Sequence, residues 1–214
     1  MSEHATLAGI AAPLPLNNLD TDQIMPKQFL FGIDKSGLAR GVLYDLRFDA
    51  SGNAREDFAL NKPEYAGARI LVTGANFGCG SSREHAVWGL QQAGIDVVIA
   101  PSFGEIFYFN AQNNRLLLIT LDETIVATLT ALVSDPATNR LTIDVEHQCV
   151  STSDGTHYAF DLPLRQKRMF IEGLDMIGIT LADSDAIRAF EAKHEAAHPW
   201  MKIDLPKLRK TQAA

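Results

Sequence analysis

The chain has 214 residues, 46% hydrophobic and 21% charged, a balance that supports a buried core and excludes an intrinsically disordered polymer. A formal net charge of −7 repels a phosphate backbone on average, and no apolar run approaches the ~20 residues of a membrane-spanning helix, so neither nucleic acid nor membrane is an expected partner. Two cysteines, Cys79 and Cys149, cannot build a disulfide framework and fall short of the roughly four thiolates an iron–sulfur cluster takes. With an N-terminus lacking the basic start of a secretory signal, they predict a cytoplasmic protein.

Up to about Tyr65 the chain is turn-rich. The stretch PLPLNNLDTDQIMPKQFLFGIDKSG interleaves short apolar pieces with Pro, Asn, Asp and Gly, which predicts a few short strands and long loops. From Ala68 the pattern sharpens. ARILVTG reads as a buried strand ended by Gly74, and SSREHAVWGLQQAG sets Ala86, Val87, Leu90 and Ala93 at helical spacing with Gly94 as its stop. IDVVIA is a second buried strand closed by Pro101, SFGEIFYFNAQNNR a helix, LLLIT a third strand, and DETIVATLTALVSD a helix opened by acidic residues. This alternation predicts an α/β fold with a partly parallel sheet and right-handed crossovers. RLTIDVEH and HYAFDL read as antiparallel strands. LPLRQKRMFIEGL and SDAIRAFEAKHEAAH read as closing helices, the second capped by Asp183 or Ser184 and stopped by Pro199. With no repeat or low-complexity linker, 1–214 is expected to form a single domain with a helical extension from about 183. Lys202, Lys207, Arg209 and Lys210 make a small basic cluster read as a solvated tail.

The segment NFGCGSSREHAVWGL, Asn76 to Leu90, concentrates the chemistry. A glycine-rich loop delivering residues to a helix start near Ser82 suits an anion, because unpaired N–H groups and the helix dipole point there. Arg83 adds a fork that can grasp a carboxylate through two hydrogen bonds. Ser81 followed by Glu84 is equally a capping box, and the residues alone leave both readings open. Two nucleotide motifs fail. Counted from Gly74, Cys79 and Gly80 stand where a P-loop needs Gly-Lys, and Arg83 replaces the third glycine of the dinucleotide pattern begun by Gly78 and Gly80.

NFGCGSSREHA resembles the signature of the swivelling fourth domain of the aconitase family. VIAPSFGEIFYFNAQNNRLLLITL and NNLDTDQIMPKQFL resemble, in the same order, the separately encoded small subunits of bacterial 3-isopropylmalate dehydratases. The resemblance implies a swivelling β/β/α domain, a mixed sheet with flanking helices. It also implies a dehydration and rehydration that moves a hydroxyl between adjacent carbons of a hydroxy dicarboxylic acid, in leucine biosynthesis. It assigns Ser81 as the base, and Ser82, Arg83, Thr21 and Asp22 as substrate-binding residues. It implies that this chain binds no cofactor of its own, and that a 4Fe–4S cluster sits on a large-subunit partner. A small subunit of homoaconitase, or of another aconitase-like hydro-lyase, is the alternative. Where aconitase has an arginine after its Thr-Asp segment, this chain has Lys27 and then Phe29, Leu30 and Phe31, an apolar arm that would suit an isopropyl group or serve as ordinary core.

Other chemically suggestive residues read more plainly. HEAAH, His194 to His198, matches a zinc-protease pattern, yet Pro199 follows directly and the remaining 16 residues hold no His, Glu or Cys as a third ligand. His85 reads as a packed histidine, and Asn110, Asn113 and Asn114 as cleft-lining or helix-terminating residues in equal measure.

Overall fold

The computed structural model describes residues 5–30 and 35–201. Seven strands form one mixed sheet: β1 (Thr6–Leu14), β2 (Ile70–Thr73), β3 (Val97–Ala100), β4 (Leu117–Thr120), β5 (Arg140–Asp144), β6 (Cys149–Thr152) and β7 (His157–Ala159). Their order is β4-β3-β2-β1-β5-β6-β7, with parallel pairing from β4 to β1 and antiparallel pairing from β1 to β7. Short helices α1 (Thr21–Ile24) and α2 (Tyr44–Arg47) follow β1. Then come α3 (Glu84–Gln92), α4 (Glu105–Asn114), α5 (Glu123–Val133), α6 (Leu164–Glu172), α7 (Met176–Ala182) and α8 (Ser184–Ala197).

β1 is the hinge between the two halves of the sheet. It pairs in parallel with β2 from Ala11↔Ile70 to Leu14↔Thr73, and antiparallel with β5 from Thr6↔Asp144 to Ile10↔Arg140. The sequence pattern does not single it out, because TLAGIAAPL is rich in Ala and Gly, weak strand formers, and carries a proline. Pro13 is tolerated because β5 has already ended. Ala11 N–H donates to Asn139 O at 2.7 Å, and Pro13, facing the same side two residues on, has no ladder acceptor to miss.

The sheet is covered on both faces, and every residue of β2 and β3 is buried, as parallel strands with helices on both sides require. Leu71 and Val98 pack with Ala86, Val87 and Leu90 of α3 and Phe107 and Ala111 of α4. Their neighbours Ile70, Val72, Val97 and Ile99 face the other way, into a layer with Val126, Leu129 and Val133 of α5 and with Leu141, Ile143 and Val150 of the antiparallel half. Four parallel strands thus deliver their carboxyl ends, at Leu14, Thr73, Ala100 and Thr120, to one edge. Open α/β sheets place ligands at that edge.

The expected strands and helices from Ala68 onward are present. β6 and α7 go beyond the expectation: each is a short run whose weak pattern acquires meaning only from its neighbours. Residues 1–175 form one compact unit and 176–214 a second, which contains α7, α8 and a final turn at Pro199–Met201. The basic cluster from Lys202 and the apolar Phe31 lie outside the described residues.

Tyr65 locks α5 to the segment that enters β2. Its hydroxyl lies 2.9 Å from Val133 O and 3.1 Å from Ser134 O, at the open carboxyl end of that helix. Burial, then the charge of Glu64, pushes its phenol above the ordinary range. Tyr65→Phe should lose about 1 kcal/mol at neutral pH, or about 2–4 °C in Tm for a chain of this size. Because the folded value is raised, the stabilisation is whole below the unfolded pKa of about 10 and fades as pH rises through the folded value. The gap between wild type and variant should therefore close under alkaline conditions. Thermal melts from neutral to alkaline pH check this, and equal stability at neutral pH would refute it.

Candidate active site

Because β1 and β2 run parallel, the loops that leave them emerge side by side and continue the ladder beyond the sheet. Asn18 N–H donates to Ala75 O at 2.8 Å, Gly78 N–H to Leu19 O at 2.7 Å, and Thr21 N–H to Cys79 O at 3.0 Å. Asparagine side chains close the remaining gaps. Asn17 Oδ1 accepts from Ala75 N–H at 2.8 Å, and Asn76 Nδ2 donates to Asn18 Oδ1 at 2.9 Å. Asn18 and Asn76 hold φ of 55° and 58°, a left-handed conformation that asparagine enters more readily than most residues. Cys79 is used here as a spacer, its thiol 3.4 Å from Asn18 O.

Two glycines fix the back of the serine loop. Gly78 has φ of 73°, and a Cβ there would collide with the Phe107 ring; one on Gly104 would stand 2.5 Å from Gly78 O and 2.9 Å from Cys79 Cα. Phe77 anchors the loop from within, its ring edge-on to Phe107 at 5.3 Å.

All five residues assigned to the site from sequence come together here. Thr21 is 1% exposed, and its hydroxyl donates to Ser81 O at 2.8 Å. The same carbonyl accepts Arg83 N–H, also at 2.8 Å. Thr21 is therefore a brace for the serine turn, with its hydroxyl already engaged. Arg83 Nη1 is ion-paired with Asp22 Oδ1, and both atoms are shielded from solvent. With 19% of the arginine side chain and 40% of the aspartate side chain exposed, the pair contributes ~1 kcal/mol at most. Its main effect is orientation: one edge of the guanidinium is held by the Asp22 carboxylate.

The helix starts later than the sequence suggests. Its first residue is Glu84, and its N-cap is Arg83 in extended conformation, φ −111° and ψ 106°, with no side-chain capping bond. The Ser81–Glu84 capping box does not form. Glu84 instead accepts from Asn114 Nδ2 at 2.6 Å, and Asn114 Oδ1 accepts from Trp88 Nε1 at 2.9 Å, so this asparagine joins α4 to α3. Ser81 and Ser82 are exposed, and neither hydroxyl makes a hydrogen bond among the described residues. A capping box does form at the neighbouring loop: Asp20 Oδ1 accepts Gln23 N–H at 2.7 Å and Gln23 Oε1 accepts Asp20 N–H at 3.0 Å. The signal for it, an aspartate three residues before a glutamine, is present in the sequence.

The remaining candidates lie apart from this chemistry. His85 packs on Trp88 with ring centres 4.8 Å apart. Lys27 is exposed, while Phe29 and Leu30 pack on the core, Phe29 against Tyr44 at 4.9 Å. His194 and His198 lie with ring centres 4.6 Å apart and planes tilted by 33°, with Phe190 stacked on His194 and Trp200 edge-on to His198. No group of three or more His, Cys, Asp or Glu among the described residues is placed to hold a metal ion. Cys79 lies beyond the end of β2 and Cys149 on β6, three strand positions away, so the two thiols do not converge on a cluster. No described helix is long and apolar enough to cross a membrane.

A mixed sheet whose carboxyl-end loops present a Gly-Ser-Ser-Arg turn defines a class, and comparison with known proteins agrees. The model of the aconitase C-terminal domain matches residues 1–124, and that of the C-terminal domain of the 3-isopropylmalate dehydratase small subunit matches 176–204. The small subunit 1 of 3-isopropylmalate dehydratase from Chromobacterium violaceum is 58% identical over the whole of both chains. The small subunit from Roseobacter denitrificans is 49% identical over 94% of this chain and all of its own. The crystal structure of 3-isopropylmalate dehydratase from Methanocaldococcus jannaschii superposes with a TM-score of 0.61 at 27% identity, covering 87% of this chain and 99% of that one. The chain belongs to the family of 3-isopropylmalate dehydratase small subunits.

The packing of Gly104 against the serine loop gives a direct test of how that loop is held. Gly104→Ala must push Gly78 and Cys79 aside, at a cost of about 1–3 kcal/mol. The expected result is a lower Tm together with faster amide exchange from Gly78 to Ser82. Unchanged exchange in that segment would show that the loop does not lean on Gly104.

Proposed function

We propose that this chain is the small subunit of a cytoplasmic 3-isopropylmalate dehydratase, a hydro-lyase that interconverts 2-isopropylmalate and 3-isopropylmalate in leucine biosynthesis together with a large subunit. The observation that carries the reading is the uncapped turn. Two serine hydroxyls stand free at the carboxyl edge of the sheet, beside an arginine held by an aspartate.

In this reading Ser81 removes the carbon-bound proton, while Ser82 and Arg83 hold a substrate carboxylate. A serine hydroxyl is a weak base in water, so its deprotonated form needs nearby positive potential. The Arg83 guanidinium and the N–H groups at the start of α3 supply it once the large subunit covers the exposed serines and excludes water. Asp22 orients Arg83, and Thr21 fixes the carbonyl of Ser81, so these two act chiefly on position. Departure of the hydroxyl calls for a Lewis acid, in this family the open iron of a 4Fe–4S cluster. The donor groups of this chain do not fit such a cluster, and we assign it to the large subunit. This polypeptide alone should be inactive.

Mixing the purified chain with its cluster-bearing large subunit should generate the absorbance of the unsaturated intermediate from either isomer. Ser81→Ala should abolish turnover while leaving assembly of the two subunits intact. Arg83→Lys, which keeps charge but loses the fork, should raise KM by about tenfold or more, in line with the loss of a charge-assisted hydrogen bond. Full activity of Ser81→Ala would refute the base assignment, and a preference for a longer-chain tricarboxylate in a substrate panel would refute the substrate.

A further inference from the structure

The edge that carries the serine turn also carries an open groove of about 340 Å³, on the α5 side of the sheet. Pro15, Pro101, Val126, Ala127 and Ala131 give it apolar walls, and among the described residues no lysine, arginine or histidine lines it. Its size is at the low end for a small-molecule site, and its surface offers few groups to orient a polar ligand. Along α5 its floor is built from small side chains: Ala127 and Ala131, one turn apart and both exposed, leave a depression that a side-chain knob can enter.

Resting on the functional reading above, we propose that this groove is a docking site for the large subunit, which inserts an apolar side chain flanked by a lysine or arginine. Continuity with the shared site selects the occupant. The groove is also lined by Asn17 and Gly74, which belong to the two loops that carry Thr21, Asp22 and the Ser81–Arg83 turn. Asn17 Oδ1 accepts from Ala75 N–H at 2.8 Å, which ties the groove wall to the loop that leads into the serine turn. A partner that completes the site must lie over these loops, and the groove is next to them. Leu16, 38% exposed, sits beside the Gly74 wall and extends the apolar surface. Charge adds direction, because exposed Glu123 also lines the groove and favours a basic neighbour beside the inserted side chain.

The test is the affinity of the full chain for the cluster-bearing large subunit, measured by titration calorimetry. Ala127→Arg and Ala131→Trp fill the groove from exposed helix positions, and melts should show both variants folded. Each should raise Kd by about tenfold or more, as truncating or blocking an interface anchor does. Thr128→Arg, exposed on the same helix outside the groove, should bind as wild type. Unchanged affinity in both groove variants overturns the proposal. So does loss of self-association in these variants with unchanged large-subunit binding, which would make a second copy of the chain the occupant. Ser81→Ala separates the two readings: if it binds normally but retains turnover, the base assignment fails while the groove stands. If it is dead while the groove variants bind like wild type, the groove alone fails.

Discussion

The site depends on the parallel pairing of β1 with β2. That pairing brings residues about sixty positions apart in the chain to neighbouring places at one sheet edge, and the two loops then extend the ladder on their own backbone. Ordering such loops in isolation would cost roughly 1–2 kcal/mol per residue in backbone entropy. Here the cost is offset by bonds among groups that would otherwise be buried and unpaired. Leu19 O, Cys79 O and Ser81 O each receive a donor from the opposite or adjoining strand of loop. The serine turn inherits its shape from the sheet. Phe77, wholly buried against Phe107, carries that rigidity into the layer beneath α3 and α4.

A second constraint explains why the serines stay available. An N-cap serine stabilises a helix by ~1 kcal/mol, and a capping box adds a reciprocal bond. α3 forgoes both. Once Ser81 O is held by Thr21 Oγ1 and Arg83 N–H, the backbone at Arg83 remains extended, and the serines project ahead of the helix. The stability given up at the cap is recovered along the helix, where Ala86, Val87 and Leu90 are fully buried and Glu84, Trp88 and Gln91 all bond to Asn114. A local preference has been overridden by a tertiary one at the place where the proposed reaction calls for free hydroxyls. Natural sequences tend to break local rules at functional sites.

These features also mark how far the sequence can be read. From Ala68 to Val133 the strands are plain because they are apolar runs covered on both faces, and the helices because one face is buried and the other exposed, so periodicity and turn residues agree. β1 is hidden by its composition: Ala11 and Ala12 are small because helices and neighbouring strands press on both sides, and small residues carry little strand signal. The five candidate site residues can be named through the resemblance, since a motif records which residue types stand together. Their division of labour cannot. That Thr21 spends its hydroxyl on a carbonyl, or that Glu84 turns to Asn114 instead of back to the cap, depends on contacts with loops and helices remote in sequence.

The charges at this edge also bear on what the second subunit must bring. A hydroxy dicarboxylate arrives with two negative charges. In the proposed reaction Arg83 would meet it with a charge already shared with Asp22, within a chain whose formal net charge is −7. An ion pair of this kind gives orientation without much attraction: Asp22 holds the guanidinium in place while offsetting its charge. In the proposed reaction, then, affinity for the dianion must come mainly from positive groups on the facing subunit, and selectivity for geometry from this one. Such a split suits a shared site. On this proposal neither surface alone would trap substrate, and the arginine would gain its full strength only once the partner had excluded water from around it.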